Sequence, residues 1–153
     1  RSELPIMVYD NGIAHVFVVL GSPEQVAALR PDFQALAQIA GIIDGALVGF
    51  NVLAGSGARW KTRMFAPAAG VPEDPATGSA AGPLALHLAR HGLIDWGEEI
   101  VIEQGAELGR PSELHASAAL TENVVGPITV SGHAVMVGGG WFDANLLRSS
   151  YTA

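Results

Sequence analysis

Apolar residues fall in short runs separated by glycine, proline and asparagine, a spacing that predicts mostly strands. Leu4–Asp10 reads as a short strand. His15–Leu20 (HVFVVL) is β-branched and apolar, and reads as a buried one. Asn11-Gly12 between them is a tight-turn signal, so the two are expected to pair antiparallel. Ser22-Pro23-Glu24-Gln25 then opens a helix. Ser22 can cap, Pro23 suits the first helical position and Gln25 completes a capping box. Val26 and Leu29 face inward, Pro31 breaks the helix, and a second short helix runs to Ala40 before Gly41. Ala46–Leu53 and Arg59–Phe65 read as strands joined by the turn Ala54-Gly55-Ser56-Gly57. Ala66–Gly78 is irregular. A helix follows from about Ser79 to Arg90 and ends at His91-Gly92. Glu99–Gln104, Glu113–Leu120 and Ile128–Val137 read as strands separated by glycine-rich turns. Trp141–Ser149 is a short helix or an edge.

The central helix reads AAGPLALHLAR, with its charge only at the end. A helix apolar nearly all round must be buried on all sides. In a strand-rich chain this predicts an α+β domain whose antiparallel or mixed β-sheet is rolled around a central buried α-helix. The length of 153 residues, 49% of them hydrophobic, suits one domain spanning residues 1–153.

Charge narrows the function classes. Eight Lys plus Arg stand against 15 Asp plus Glu, for a formal charge of -7. Such a chain has no electrostatic footprint for nucleic acid and is repelled by anionic membrane surfaces. It has no apolar stretch long enough for a membrane helix and no signal-peptide pattern, so a cytoplasmic location is expected. Cysteine is absent, which excludes disulfides, thiolate catalysis and cysteine-ligated metals.

The chemistry concentrates between Arg63 and Gly82. A strand ends, a proline- and glycine-rich loop follows, and the buried helix begins at Gly78-Ser79. Free N–H groups at such a helix start, with the helix dipole, form an anion site. Gly78 has no Cβ and lets a ligand approach the backbone. Thr77 and Ser79 add hydroxyls. The loop after Arg63 carries no Lys or Arg, so one carboxylate fits better than a phosphate. Asp74 could accept a hydrogen bond from an amine or hydroxyl of the same ligand, or handle a proton. The expected ligand is a small amino or hydroxy acid. The plainer alternative is that Asp74 and Thr77 only cap the helix. His87 and His91 have a zinc-compatible spacing but lack the glutamate of H-E-x-x-H; a histidine near a helix C-terminus more often matches the dipole. His15, His115 and His133 lie in expected strands, with no partner motif, and read as structural or exposed.

The segment R-x-F-x-P-x-x-G-x-x-E-D-P-A-T-G-S-A-x-G resembles the hallmark of the PhzF (phenazine biosynthesis-like) isomerase family. Arg63, Phe65, Pro67, Gly70, the run Glu73-Asp74-Pro75-Ala76-Thr77-Gly78-Ser79-Ala80 and Gly82 meet it. Glu103-Gln104-Gly105, Gly109-Arg110-Pro111-Ser112 and the closing V-S-G-H-A-V agree, so the resemblance spans nearly the whole chain. It implies a diaminopimelate-epimerase-like fold of two similar domains, each a sheet rolled around a helix, with the active site between them. It implies no metal and no organic cofactor. It places Asp74, Gly78 and Ser79 at the substrate: Asp74 as a hydrogen-bonding or proton-relaying catalytic group, the Gly78 and Ser79 N–H groups and the Ser79 hydroxyl on the substrate carboxylate. The absence of cysteine favours carboxylate over thiol acid/base chemistry. Arg63, Arg110 and Pro111 match the pattern, with packing roles as a ready alternative.

The family's catalytic glutamate and its accompanying histidine motif belong to the first domain. Glu3, Glu24, Glu98 and Glu99 lie in no matching motif. The chain therefore resembles the second, C-terminal half alone, and its start at Arg1 points to a preceding segment. The expected partners are that N-terminal domain or a complementary chain, a small acid substrate and, from open sheet edges, a second copy in a homodimer. A stand-alone carboxylate-binding module is the alternative to an isomerase half, and a ligand-free interaction domain the third reading.

Overall fold

The computed structural model describes residues 4–42, 48–141 and 143. Strands β1 (Met7–Asp10) and β2 (Ala14–Val19) pair antiparallel across Asn11-Gly12, as expected, with Gly12 at φ +103°. Helix α1 (Pro23–Ala27) is capped by Ser22, whose side chain accepts from the Gln25 N–H. The return arm of the box lands one residue early: Gln25 Oε1 accepts from the Gly21 N–H. Helix α2 (Phe33–Ile42) continues through Gly41 instead of stopping before it.

Strand β3 (Val48–Ser56) runs further than expected, and Ser56 pairs with Arg59 of β4 (Arg59–Ala66). The turn therefore shrinks to Gly57-Ala58, with Gly57 at φ +52°. The segment expected to be irregular contains a strand, β5 (Val71–Asp74), held on β4. Helix α3 (Gly78–Arg90) and strands β6 (Ile100–Gln104) and β7 (Ser112–Thr121) follow close to their expected places. Strand β8 (Val124–Gly132) begins and ends earlier than Ile128–Val137. Its register is set by a turn without glycine: Glu122 and Asn123 take φ +51° and +63°. Asparagine tolerates that region, glutamate less readily, so the turn escaped a glycine-based reading. Residues 46–47 of the third expected strand and most of Trp141–Ser149 lie outside the described residues.

The strands form one mixed sheet in the order β1-β2-β3-β4-β6-β7-β8, with β5 off β4. Pairs β2–β3 and β4–β6 are parallel and the others antiparallel. The two faces have different cores. Phe17, Leu53, Trp60, Ile100, Ile102 and Leu114 turn inward onto α3. Val16, Phe50 and Phe65 turn outward into a second cluster with Leu29 and Leu36. Every residue of α3 from Ala80 to Ala89 is buried. Both ends of the sheet reach this helix. Tyr9 of β1 bonds His87, and Ile128 of β8 sits so close to Gly82 that a Cβ there would lie 2.8 Å from it. The sheet is thus rolled around the helix, as its composition required. Among the described residues, no helix is long and apolar enough to cross a membrane.

His87 is fully buried between Phe17 and Tyr9. Tyr9 Oη lies 3.1 Å from its Nδ1, and Nε2 has no partner among the described residues. Burial, helped by neighbouring His91, lowers its pKa from 6.5 to about 4. Between those values the unfolded chain binds a proton that the folded chain refuses, so stability falls as pH falls through that window. It is fully present above 6.5, and the total loss is about 3 kcal/mol. Urea midpoints at pH 7 and pH 4.5 are expected to differ by less in His87→Leu than in the parent. Equal pH dependence in the two would refute the assignment.

Candidate functional site

The start of α3 is where polar groups penetrate the inner face. Pro83 has no N–H, so the Ser79 carbonyl loses its usual intrahelical partner. Asn11, in the β1–β2 turn, replaces it: its side-chain amide donates to Ser79 O at 2.9 Å. The first turn of the helix is thereby tied to the first hairpin of the chain. The N–H groups of Gly78 and Ser79 have no acceptor among the described residues. A Cβ on Gly78 would meet nothing within 4 Å, so the fold itself does not demand glycine there. The absent side chain leaves room for something outside the protein.

Thr77 does not cap the helix with its side chain. Its hydroxyl donates instead to Asp74 Oδ2 at 2.6 Å. Gln104, from β6, holds the loop in turn. Its amide nitrogen donates to Asp74 O at 2.7 Å and to Thr77 Oγ1 at 2.8 Å, while its Oε1 accepts from Thr77 N and Thr62 Oγ1. The capping alternative is thus replaced by a braced carboxylate, fixed beside the helix start. The space behind this bracing measures about 10 Å³, enough for no more than a water. A ligand must come from the open side, where a cleft of about 690 Å³ is lined by Ala76, Gly78, Ser112, Ser131 and His133 among others. Gly78 lines that cleft; Asp74 and Ser79 do not.

Sequence reading missed His15. It lies 64 residues before Ser79, yet its Nε2 is 3.1 Å from Ser79 Oγ. Asn51 Nδ2 is 3.2 Å from His15 Nδ1 and faces the carbonyls of Gly49 and Val16 at 3.1 and 3.3 Å. Two carbonyls identify that atom as the amide nitrogen, a donor. His15 Nδ1 is then an acceptor, and the proton sits on Nε2, donated to Ser79 Oγ. Burial lowers the His15 pKa, against an opposing pull from Asp10, and keeps the ring neutral. This order is the reverse of a nucleophile–base pair, in which histidine accepts the hydroxyl proton. Ser79 here receives a hydrogen bond from His15 and has its own proton free for a ligand. The only sequence signal was position: alternation along HVFVVL puts His15 on the same face as Phe17.

The structure separates the other motif residues. Arg63 and Glu73 turn to the outer face and pair there. Arg110 is exposed, and Pro111 lines the cleft. His87 and His91 are not a ligand pair: His91 Nδ1 lies 2.8 Å from the His87 carbonyl oxygen, and His87 Nδ1 faces Tyr9.

A family model described as "Phenazine biosynthesis-like protein" (PhzC-PhzF) matches residues 1–140. The chain is 49% identical to trans-2,3-dihydro-3-hydroxyanthranilate isomerase of Pseudomonas chlororaphis, over 91% of this chain and 48% of that enzyme. It is 34% identical to the uncharacterized isomerase YddE of Salmonella typhimurium, over 87% of this chain and 46% of the relative. The crystal structure of a Bacillus anthracis phenazine biosynthesis protein of the PhzF family superposes with a TM-score of 0.65 at 20% identity. That match covers 86% of this chain and 50% of the other. The chain spans about half the length of the curated relatives it matches.

Proposed function

The chain belongs to the PhzC-PhzF family of phenazine biosynthesis-like proteins, and on that premise we propose that it is the carboxylate-binding half of an isomerase or epimerase acting on a small amino or hydroxy acid. Its relatives carry isomerase names and are about twice its matched length. The observation that carries the reading is the pair of N–H groups at Gly78 and Ser79 with no acceptor among the described residues, set beside a braced Asp74.

The roles follow from the geometry. The Gly78 and Ser79 N–H groups and the dipole of α3 hold the substrate carboxylate. As negative charge spreads from the reacting carbon into that carboxylate, the same donors stabilise it. Ser79, with His15 donating to its oxygen, gives its proton to the substrate. Asp74, with Thr77 on one oxygen, accepts from the amine or hydroxyl or relays a proton. These side chains carry the acid/base work without a cofactor. The base that removes the carbon-bound proton is a glutamate of a first domain, the partner that completes the site. That domain would also cover apolar side chains exposed on the edge strands, among them Val8, Val124, Ile128 and Val130.

The test is calorimetry and solvent-deuterium exchange with small amino and hydroxy acids, on the two-domain protein containing this half. Ser79→Ala and Asp74→Asn are each expected to weaken binding by about tenfold or more, one charged-group hydrogen bond being worth about 1.5–3 kcal/mol. Carbon-bound proton exchange is expected in the two-domain protein and absent from the half alone. Exchange at full rate by the half would overturn the division of labour. Binding without exchange in both would favour a stand-alone carboxylate-binding module.

A further inference from the structure

On the outer face of the β7–β8 hairpin two histidines and two glutamates converge. Register explains why. Leu114 pairs with Gly132 and His115 with Ser131, which places Glu113 opposite His133 at the end of the ladder. Residues directly opposite share a face, as do residues two apart on one strand. Glu113, His115 and His133 therefore project together, and one ligating atom from each lies within 4.8 Å of the other two. Their neighbours Ser117 and Thr129 mark the same face with a 2.7 Å hydroxyl contact.

The internal geometry of the cluster is that of a ligand set. Glu99, just before β6, has Oε1 3.1 Å from His115 Nδ1. A carboxylate on one ring nitrogen fixes the tautomer and leaves the other nitrogen as an electron-pair donor. That other atom, Nε2, stands 3.2 Å from Glu113 Oε1. That contact is a hydrogen bond from Nε2 to the carboxylate; an ion that displaced its proton would find the two donor atoms close to the separation of about 3.3 Å between ligands of a tetrahedral zinc ion. Arg59 also pairs with the other Glu113 oxygen, at 4.0 Å, but lies nearer to Glu103, at 3.2 Å. The His133 ring stands edge-on to His115, with centroids 6.3 Å apart.

We propose that Glu113, His115 and His133 form a site for a borderline divalent transition-metal ion of the Zn²⁺ class, with Glu99 orienting His115. Two imidazoles and one carboxylate suit Zn²⁺, Co²⁺ or Ni²⁺ far better than Mg²⁺ or Ca²⁺. Glu113 and His133 also line the cleft that Gly78 lines, so the ion sits on its rim with a coordination position left over. The inference is independent of the isomerase reading.

The experiment is titration of the untagged chain with Zn²⁺ by calorimetry, with Mg²⁺ as the control ion and Co²⁺ absorption as a second readout. One equivalent of Zn²⁺ is expected to bind, with a visible Co²⁺ band and no Mg²⁺ heat. His115→Ala and His133→Ala should abolish the Co²⁺ band, and Glu99→Gln should weaken Zn²⁺ by about tenfold. His91→Ala should change nothing. These ligands are exposed or half-buried, and a thermal melt verifies that each variant folds. Absence of Zn²⁺ binding by the parent chain overturns the proposal, as does binding unaffected by His115→Ala; the cluster would then be a proton-bridged ion pair.

Discussion

Gly105→Ala is expected to destabilise the domain by about 3–5 kcal/mol, more than most single methyl additions. Two costs combine. Gly105 has φ +83°, a left-handed conformation that costs an L-residue about 1–2 kcal/mol. Its Cβ would also lie 2.4 Å from Arg110 O and 2.6 Å from Pro75 O. Both contacts are backbone, so no side chain can swing away. The Arg110 N–H bonds Gly105 O at 3.0 Å, which pins one side of the collision, and Pro75 belongs to the loop that carries Asp74 and Thr77. The strain must therefore enter that loop. Gly109 provides the comparison: φ is +67°, yet a Cβ there meets nothing within 4 Å. Gly109→Ala should cost only the conformational part, about 1–2 kcal/mol. Urea midpoints of the two variants decide the matter. If Gly105→Ala is no less stable than Gly109→Ala, close approach to Pro75 is not what requires glycine.

Removing Arg63 should be as damaging, for a different reason. Its Nε and Nη2 each meet a Glu73 oxygen at 2.8 Å, with side-chain exposures of 7% and 8%. Its Nη1 donates to Val26 O, Ala27 O and Leu29 O at 3.0–3.4 Å, so the same guanidinium terminates α1. It also lies 5.1 Å from the Phe65 ring centroid. Arg63→Met leaves a buried carboxylate without its cation and a helix end without its donors. The expected loss is about 3–5 kcal/mol. Arg63→Met combined with Glu73→Leu should recover part of it, since a buried pair replaced together costs less than one charge left alone. A double-mutant cycle from denaturant midpoints measures the coupling. Additive losses would mean that the bidentate pair contributes little beyond packing.

These two sites show what was legible in the sequence. The element order was, because alternation and turn residues are local signals. The central helix was, because AAGPLALHLAR has no face fit for water. The E-D-P-A-T-G-S-A run carried the family resemblance but did not divide its own labour. Within β5, Glu73 turns outward to Arg63 while the next residue, Asp74, holds the loop that faces α3. That division follows from the period of two, which became visible only once a strand was recognised in a segment expected to be irregular. His15 and Asn51 were illegible for another reason. His15 meets Ser79 and Asn51 meets His15, and strand pairing sets such contacts across long stretches of chain. The Glu113–His115–His133 cluster depends on a β8 register fixed by Glu122-Asn123, a turn without glycine.

Pro83 and Asn11 carry a consequence for the order of folding. A helix with Gly82 and Pro83 near its start is a poor nucleus by itself. Its first turn lacks an internal bond that only the β1–β2 hairpin supplies, 68 residues earlier in the chain. Closing so long a loop is entropically slow, and contacts of this range set folding speed. The first turn of α3 therefore matures after the sheet has begun to wrap. Order at Gly78 and Ser79 is a property of the finished, rolled sheet rather than of the segment that bears them.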